Sequence, residues 1–312
     1  MASLITLKQE IQFNTRLANV LDALKSIAAQ QFQALERTLQ TNDRFFEAVE
    51  TIAGTFPLER FSHPYTRSEG PVGVVMITSD TGLLGGLNQQ VVAVGLEEYR
   101  HAPGELIVIG ERGVTYVREA GLPCRRFPAA VDTERFQLAA AVRDYALQRV
   151  LSGGLSRLTI VHPRALSFTV QRVEVVRALP CMEWFRSSAV PRGIRSDSLM
   201  LESSVADVVE YLVWLWVEEK LVALLGMARL AELAARSVHL EGSSQELQRR
   251  GQKLWLRYFR ERHEVIDRNM RELFSARSLF QEPSTIEEPS TVKTVHHPRS
   301  TVHGLEKEAD LA

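Results

Sequence analysis

The chain has 312 residues, enough for one large domain or two of moderate size, and 45% of them are hydrophobic, an ordinary share for a protein that buries a core. Its 37 basic residues against 38 acidic ones argue against a generic nucleic-acid-binding protein. Two cysteines are too few for a disulfide framework and indicate a reducing compartment, and the first residues show no secretion signal.

A long helix is predicted for residues 1–57. Apolar residues recur there at three- and four-residue steps, and Asn, Gln, Lys and Arg occupy the other face. The apolar positions are Leu17, Leu21, Leu24, Ala28, Phe32, Leu35, Leu39, Phe46, Val49 and Ala53. A periodic pattern this long is typical of a coiled coil, a membrane span or a helical repeat.

Residues 65–195 alternate between short β-branched runs and helical stretches. Strands are predicted at 73–77, 105–110, 124–127, 158–162 and 168–179, with helices over 87–99, 113–120 and 133–151. This order predicts a Rossmann-like α/β domain with a mainly parallel sheet, whose last strand is antiparallel at an edge.

The glycine-rich turn of this domain does not have the sequence of a nucleotide site. TSDTGLLGGLN at 78–88 lacks the GxGxxG spacing, and no Gly-Lys-Ser/Thr follows it to hold phosphates and magnesium. No cofactor is therefore expected. Asp80 is expected to cap a strand-to-helix turn.

A second long helix is predicted for residues 204–276. Apolar residues recur at helical spacing through this stretch, no proline falls between Pro191 and Pro283, and Ser204 with Asp207 makes a capping box at its start. About 70 helical residues would reach about 100 Å, which exceeds a compact domain of this size. The helix is therefore expected to leave the α/β domain.

The two long helices are predicted to form an antiparallel coiled coil. The α/β domain is inserted between them in the sequence. The charges of Glu210, Glu218, Glu219 and Lys220 interrupt the most apolar stretch, which argues against direct membrane insertion. Periodicity alone leaves open a simple helical bundle.

Two further segments lie towards the end of the chain. Arginines crowd the distal part of the second helix, either as a solvated face or as a basic face that meets an acidic partner. Residues 279–312 repeat Glu-Pro-Ser-Thr and are predicted to be a disordered tail.

Several stretches of the chain resemble the γ subunit of F-type ATP synthases. The opening MASL and residues 23–29 (ALKSIAA) are similar to the family's AMKMVAA, and residues 77–88 (ITSDTGLLGGLN) are similar to its ITSDRGLCGGFN. Residues 232–236 fit its SEQAARM. Tyr258, Arg262, Ile266 and Glu272 match its YNKARQAAITQELLEI at the same relative positions. The resemblance spans nearly the whole chain to Ala276.

This resemblance implies a central-stalk rotor subunit that couples ion flow through a membrane ring to ATP synthesis or hydrolysis in an α3β3 hexamer. The implied partners are the α, β and ε subunits and the membrane c-ring. The chain itself would be non-catalytic and peripheral at the cytoplasmic face of the cell membrane. The residues implied to contact the hexamer are Leu24, Ile27, Ala28, Tyr258, Arg262, Ile266 and Glu272, and the family motif of the foot domain is represented by Ser79, Asp80, Gly82, Gly85, Gly86 and Asn88.

The chain also departs from the family's pattern. Thr81 replaces the family's arginine and Leu84 its cysteine, and Gln31 stands where a lysine is usual. Non-family residues also occupy positions 263, 267 and 269, as His, Asp and Asn. These departures favour an alternative, sodium-type ATP synthase. Two other hypotheses are a coiled-coil adaptor unrelated to rotary motors and a nucleotide-binding α/β enzyme.

Overall fold

A computed structural model describes residues 4–39, 43–54, 63–129, 134–181 and 202–280. The helices are α1 (Leu4–Thr38), α2 (Asp43–Gly54), α3 (Leu87–His101), α4 (Glu111–Glu119), α5 (Arg135–Leu151) and α6 (Val205–Phe280), and a 3-10 turn spans Pro64–Thr66. The strands are β1 (Val72–Ile77), β2 (Glu105–Ile109), β3 (Arg125–Phe127), β4 (Arg157–Ala165) and β5 (Gln171–Leu179). The chain divides into two units, residues 1–257 and 258–312.

The five strands form one sheet in the order β3-β2-β1-β4-β5. The first four are parallel, with Val74 of β1 opposite Leu106 on one side and Thr159 on the other. β5 pairs antiparallel with β4 at the edge. The Rossmann-like sheet predicted from the β-branched runs is confirmed, including its antiparallel last strand.

Helices cover both faces of the sheet. On one face Val74 and Met76 of β1 are buried against α3 and α4. On the other face Val75 and Ile77 are buried against α5 and α6. β1 reads as an uninterrupted apolar run because its side chains are buried on both sides, as in parallel sheets generally.

The first part of α6 belongs to the core of this α/β domain. The helix begins where the sequence predicts, since the Asp207 N–H donates to Ser204 Oγ at 3.1 Å. Between Val209 and Ala228 its buried side chains join the cluster that covers the sheet. The sequence pattern assigned residues 204–276 to the coiled coil alone. The predicted domain boundaries, 1–57, 65–195, 204–276 and 279–312, stay a prediction.

α1 runs antiparallel to the part of α6 that follows. Phe32 of α1 packs against Leu233 and Ala234 of α6. Towards the end of α1, a Cβ on Gly226 would lie 2.4 Å from Leu39 Cδ1, so the absence of a side chain allows the close approach. Together with the sheet, this confirms the predicted fold class of a helix pair around an α/β insert.

The N-terminal segment differs from the single helix predicted. α1 ends at Thr38 and α2 begins at Asp43. The sequence Thr41-Asn42-Asp43 contains residue types that favour helix starts over helix interiors. The predicted tail, from residue 281 onward, lies outside the described residues. Among the helices that are described, none combines the length and the apolar run that crossing a bilayer requires.

Candidate functional site

The glycine-rich turn closes on itself through Ser79 and Asn88. The Ser79 N–H donates to Asn88 Oδ1 at 3.2 Å, and Asn88 Nδ2 donates to Ser79 Oγ at 2.9 Å. Ser79 Oγ in turn donates to the Thr81 carbonyl at 2.8 Å. Both side chains are buried, so this exchange satisfies polar groups that burial would otherwise leave unpaired.

Asp80 caps a helix, as the sequence predicts, although the helix is α4 rather than the adjacent α3. Its Oδ1 accepts from the backbone N–H of Glu111, the first residue of α4, at 2.8 Å, and from that of Ala129 at 3.4 Å. A carboxylate at a helix N-terminus satisfies a free N–H and favours the helix dipole. The motif therefore joins the end of β1 to the start of α4.

The glycines of the motif let the chain turn into α3. Gly85 has φ +59° and Gly86, the residue before α3, has φ +95°, where side chains are rarely tolerated. Gly82 lies against the Arg112 guanidinium, because a Cβ there would be 3.0 Å from Nη2.

The motif docks on α6 through two leucines. Leu84 and Leu87 are buried against Ala231 and Ala235, whose small side chains admit them. Leu84 stands where the family pattern has cysteine, and the larger side chain is accommodated in this apolar contact.

A polar cluster continues the contact between the motif and α6. Arg236 Nη2 donates to Thr81 Oγ1 and to Glu232 Oε1, each at 2.5 Å, and Arg229 pairs with the same carboxylate at 2.9 Å. Thr81 Oγ1 lies 3.1 Å from Glu232 Oε1. The sequence pointed to Glu232 and Arg236 through family resemblance. Their link to Thr81, about 150 residues away, has no signal in local sequence.

The carboxyl ends of β1 and β2 leave little room for a ligand. The cavity between the motif and α6 measures about 50 Å³ and is lined by residues including Ser79, Asn88, Leu225 and Glu232. Small-molecule sites occupy roughly 300 Å³ or more. The described residues also contain no group of His, Cys, Asp and Glu side chains that could hold a metal ion. This end of the sheet is therefore filled by the side chains of the motif itself and by those of α6.

Polar contacts set the register of α1 against α6. Asn14 Nδ2 donates to the Leu247 carbonyl at 2.7 Å, and Lys25 Nζ donates to Glu241 Oε2 at 2.7 Å. The hydrogen bond from Lys25 lowers the pKa of the Glu241 carboxyl, and the same contact raises the pKa of Lys25. Residue numbers decrease along α6 as they increase along α1 in these contacts, which shows that the two helices are antiparallel.

α1 carries two apolar stripes, and only one of them faces α6. The inner stripe is buried and includes Leu7, Ile11, Ala18, Ala28 and Phe32. The outer stripe consists of large apolar side chains that are exposed, namely Phe13, Leu17, Val20, Leu24 and Ile27. An exposed apolar patch of this size on a helix is typical of a docking surface.

The predicted contact residues of α1 fall on different stripes. Leu24 is 40% exposed and Ile27 is 50% exposed, both in the outer stripe. Ala28 is only 2% exposed and lies inside the described protein, so its methyl group is not available to a partner. Periodicity could not separate the two stripes, because both repeat at three- and four-residue steps.

The predicted contact residues of α6 lie in the second unit. Arg262, Ile266 and Glu272 are exposed. Tyr258 is half-buried, and its ring forms a T-shaped pair with that of Phe259, with centroids 5.8 Å apart. Further large apolar side chains are exposed along the same stretch, namely Phe259, Val265, Met270, Leu273 and Phe274. The helix here alternates exposed arginines with exposed apolar residues, a mixture that fits a partner surface better than solvent alone.

Known proteins resemble the chain over most of its length. A family model described as ATP synthase matches residues 3–278. The ATP synthase gamma chain of Clostridium beijerinckii is 22% identical over 280 residues, which cover 87% of this chain and 96% of that relative. The gamma chain of Clostridium pasteurianum is 24% identical over 283 residues, with 88% and 97% covered.

Solved structures share the fold. A cryo-EM structure of the Euglena gracilis mitochondrial ATP synthase, OSCP/F1/c-ring in rotational state 3, contains a chain that matches with a TM-score of 0.68 and 17% identity, over 92% of this chain and 98% of that one. The rotor of the same enzyme in rotational state 1 matches with a TM-score of 0.61 and 19% identity, over 84% and 98%. Since the family model covers far more than half of the sequence and the curated relatives are gamma chains matched over nearly their full length, the chain belongs to the ATP synthase gamma family.

Proposed function

We propose that this chain is the central-stalk rotor subunit of an F-type ATP synthase, coupling ion flow through the membrane c-ring to ATP synthesis or hydrolysis in an α3β3 hexamer. The observation that carries the proposal is the outer apolar stripe of α1. It stays exposed although the inner stripe of the same helix is packed against α6. Such an exposed apolar surface is expected to be covered by a partner. The partner implied by the family is the α3β3 hexamer.

The proposed coupling requires only that this chain contact the alternative conformations of its partner unequally. A partner shifts a conformational equilibrium by binding its alternative states with different affinity. The helix pair presents different side chains in different directions. A hexamer that surrounds it would therefore meet a different set of side chains on each side. The proposed contacts are Leu24 and Ile27 on α1, and Tyr258, Arg262, Ile266 and Glu272 on α6, with Ala28 supporting α1 from inside.

The α/β domain would form the foot of the stalk, with the ε subunit and the c-ring as its partners. Its motif residues Ser79, Asp80 and Asn88 hold strand, turn and helix together rather than bind a ligand. The chain itself would carry out no bond chemistry. Its place would be peripheral, at the cytoplasmic face of the cell membrane. Sodium coupling stays a prediction that the Na⁺ dependence of ATP hydrolysis would test.

The experiment is purification of the full chain, tagged at one end, from cells that express the whole operon. Recovery of α and β subunits in the same complex is expected. Leu24→Asp/Ile27→Asp should reduce that recovery at least severalfold, since burying two carboxylates without partners is costly. Val175→Asp is the matched control, because Val175 is an exposed apolar residue of β5. Failure of the unaltered chain to recover α and β would favour the unrelated coiled-coil adaptor.

A further inference from the structure

An open groove of about 720 Å³ lies between the C-terminal half of α5 and the first turns of α6. Apolar and aromatic side chains form its floor, among them Leu147, Leu151, Tyr211 and Trp214. Tyr211 is 60% exposed and Leu151 is 44% exposed, so much of this floor is open to solvent. The groove is far from the outer stripe in sequence and belongs to the α/β domain.

Ring stacking and a buried arginine hold the aromatic side chains of the groove in place. The rings of Tyr211 and Trp214 stack with centroids 6.2 Å apart and an interplanar angle of 9°. The guanidinium carbon of Arg143, a buried residue, lies 3.8 Å from the centroid of the Trp214 ring. A cation over the face of tryptophan is an attractive contact that fixes the orientation of the ring. The platform is therefore formed before any partner arrives.

The charges around the groove are almost all negative. Three carboxylates line it, those of Asp144, Asp207 and Glu210, and the described lining includes no lysine or arginine. The buried Arg143 beneath it pairs with Asp144 at 2.7 Å and also contacts Glu218. Asp144 and Glu218 thus share one guanidinium, Glu210 lies 3.1 Å from His63 Nε2, and Asp207 accepts from the Ser204 hydroxyl, so the carboxylates outnumber the arginine beside the groove.

We propose that this groove docks a cationic segment of a partner protein, a short stretch in which Lys or Arg flanks an apolar anchor. The anchor would cover Tyr211, Trp214 and Leu151, and burial of that exposed area would supply most of the affinity. The basic side chains would face Asp144, Asp207 and Glu210 and determine which segments are accepted. The acidic rim repels nucleic acids and anionic lipid surfaces. The docking is a property of the chain by itself, whether or not it assembles with an ATP synthase.

The test uses the full chain and a fluorescein-labelled synthetic peptide that alternates leucine with lysine and arginine. Two matched peptides replace either the basic residues with glutamate or the leucines with serine. Fluorescence anisotropy should show binding of the cationic, apolar peptide at least tenfold tighter than that of either control. Binding should weaken as the salt concentration rises from about 0.05 M to about 0.5 M, because exposed charge pairs are screened.

Two variants locate the binding. Asp207→Asn/Glu210→Gln removes two charges while keeping polar atoms near Ser204 and His63, and it should weaken binding about fivefold. Tyr211→Ser removes part of the floor and should weaken binding by a similar factor. Glu97→Gln/Glu119→Gln is the matched control, since both carboxylates are exposed on the helices that cover the other face of the sheet.

The outcomes separate clearly. Weakening by both groove variants with unchanged thermal melting supports the docking proposal. Equal binding of the acidic peptide, or equal weakening by the Glu97/Glu119 control, overturns it. Binding that survives both groove variants also overturns it, because the peptide would then be held at another surface such as the helix pair.

Discussion

Asn14 of α1 donates a hydrogen bond of 2.7 Å to the backbone carbonyl of Leu247 in α6, across 233 residues of sequence. A glycine lies beside this contact. A Cβ on Gly251, one turn further along α6, would lie 3.0 Å from Asn14 Nδ2. One polar side chain and one missing side chain thus fix the register of the helix pair at this level.

Replacing Asn14 should therefore weaken the helix pair. Asn14→Ala is expected to lower the free energy of unfolding of the full chain by about 1 kcal/mol, because a buried hydrogen bond is lost. Chemical denaturation followed by circular dichroism measures the change. Ser26→Ala is the control, since its hydroxyl bonds only to its own helix, at the Asp22 carbonyl. A loss as large in the Ser26 variant would show that the long-range bond is not the cause.

The cap that Asp80 places on α4 makes a second prediction. Asp80→Ala should lower the free energy of unfolding by about 1–2 kcal/mol, because the N–H of Glu111 loses its acceptor. Asp80→Asn keeps an oxygen in the same position and should lose less than half as much. The two variants are compared by thermal and chemical unfolding. Equal losses would mean that the negative charge, rather than the hydrogen bond, stabilises the turn.

Much of the fold could be predicted from the sequence. β1 and β2 were visible because they are buried on both faces and read as nearly continuous apolar runs, and β4 was visible through its β-branched residues Thr159, Ile160 and Val161. The start of α6 was visible because Ser204 and Asp207 are local capping residues. Both signals depend on neighbours in sequence.

The candidate site was only partly predictable. The motif residues were found through resemblance, but the bonds from Thr81 to Glu232 and Arg236 join segments far apart in the chain. Arg143 was missed altogether, because nothing near it in sequence indicates that Glu218 and Trp214 would surround it. Ala28 was assigned to the hexamer contact through the family resemblance, whereas the apolar periodicity had placed it in the helix pair, where the structure buries it.

Buried His162 gives the protein a pH-dependent stability. Burial lowers the pKa of this imidazole below its usual 6.5, and its Nε2 has no hydrogen-bond partner among the described residues. As the pH falls below 6.5, the unfolded chain binds a proton that the folded chain resists, so the free energy of unfolding should fall. His162→Gln should flatten this dependence below about pH 6.5.

The measurement is urea unfolding at a series of pH values. His101→Gln, which removes an exposed imidazole at the end of α3, is the matched control. If the His162 variant keeps the slope of the unaltered protein, another group is responsible for it.

Reversing the charge of Arg262 should impair coupling in the assembled complex. Arg262 is exposed on the distal part of α6, among the arginines for which the sequence leaves open a basic face that meets an acidic partner. Arg262→Glu is expected to reduce ATP-driven ion pumping at least twofold relative to ATP hydrolysis, since reversal turns an attraction of roughly 0.2–1 kcal/mol into a repulsion. Arg118→Glu on α4, equally exposed but outside the helix pair, serves as the comparison. An unchanged ratio for Arg262→Glu would remove this residue from the coupling surface.

The contribution of α6 to the sheet also has a consequence during synthesis. When the ribosome has translated the last strand, to Leu179, α5 can already cover part of the side that carries Val75, Ile107 and Ile160, but α6, which completes that cover, has yet to be made. The nascent domain must wait for residues 209–228 to emerge before that side is fully covered. During this interval part of the apolar face of the sheet stays exposed to solvent, and we expect the nascent chain to bind chaperones until translation has passed Ala228.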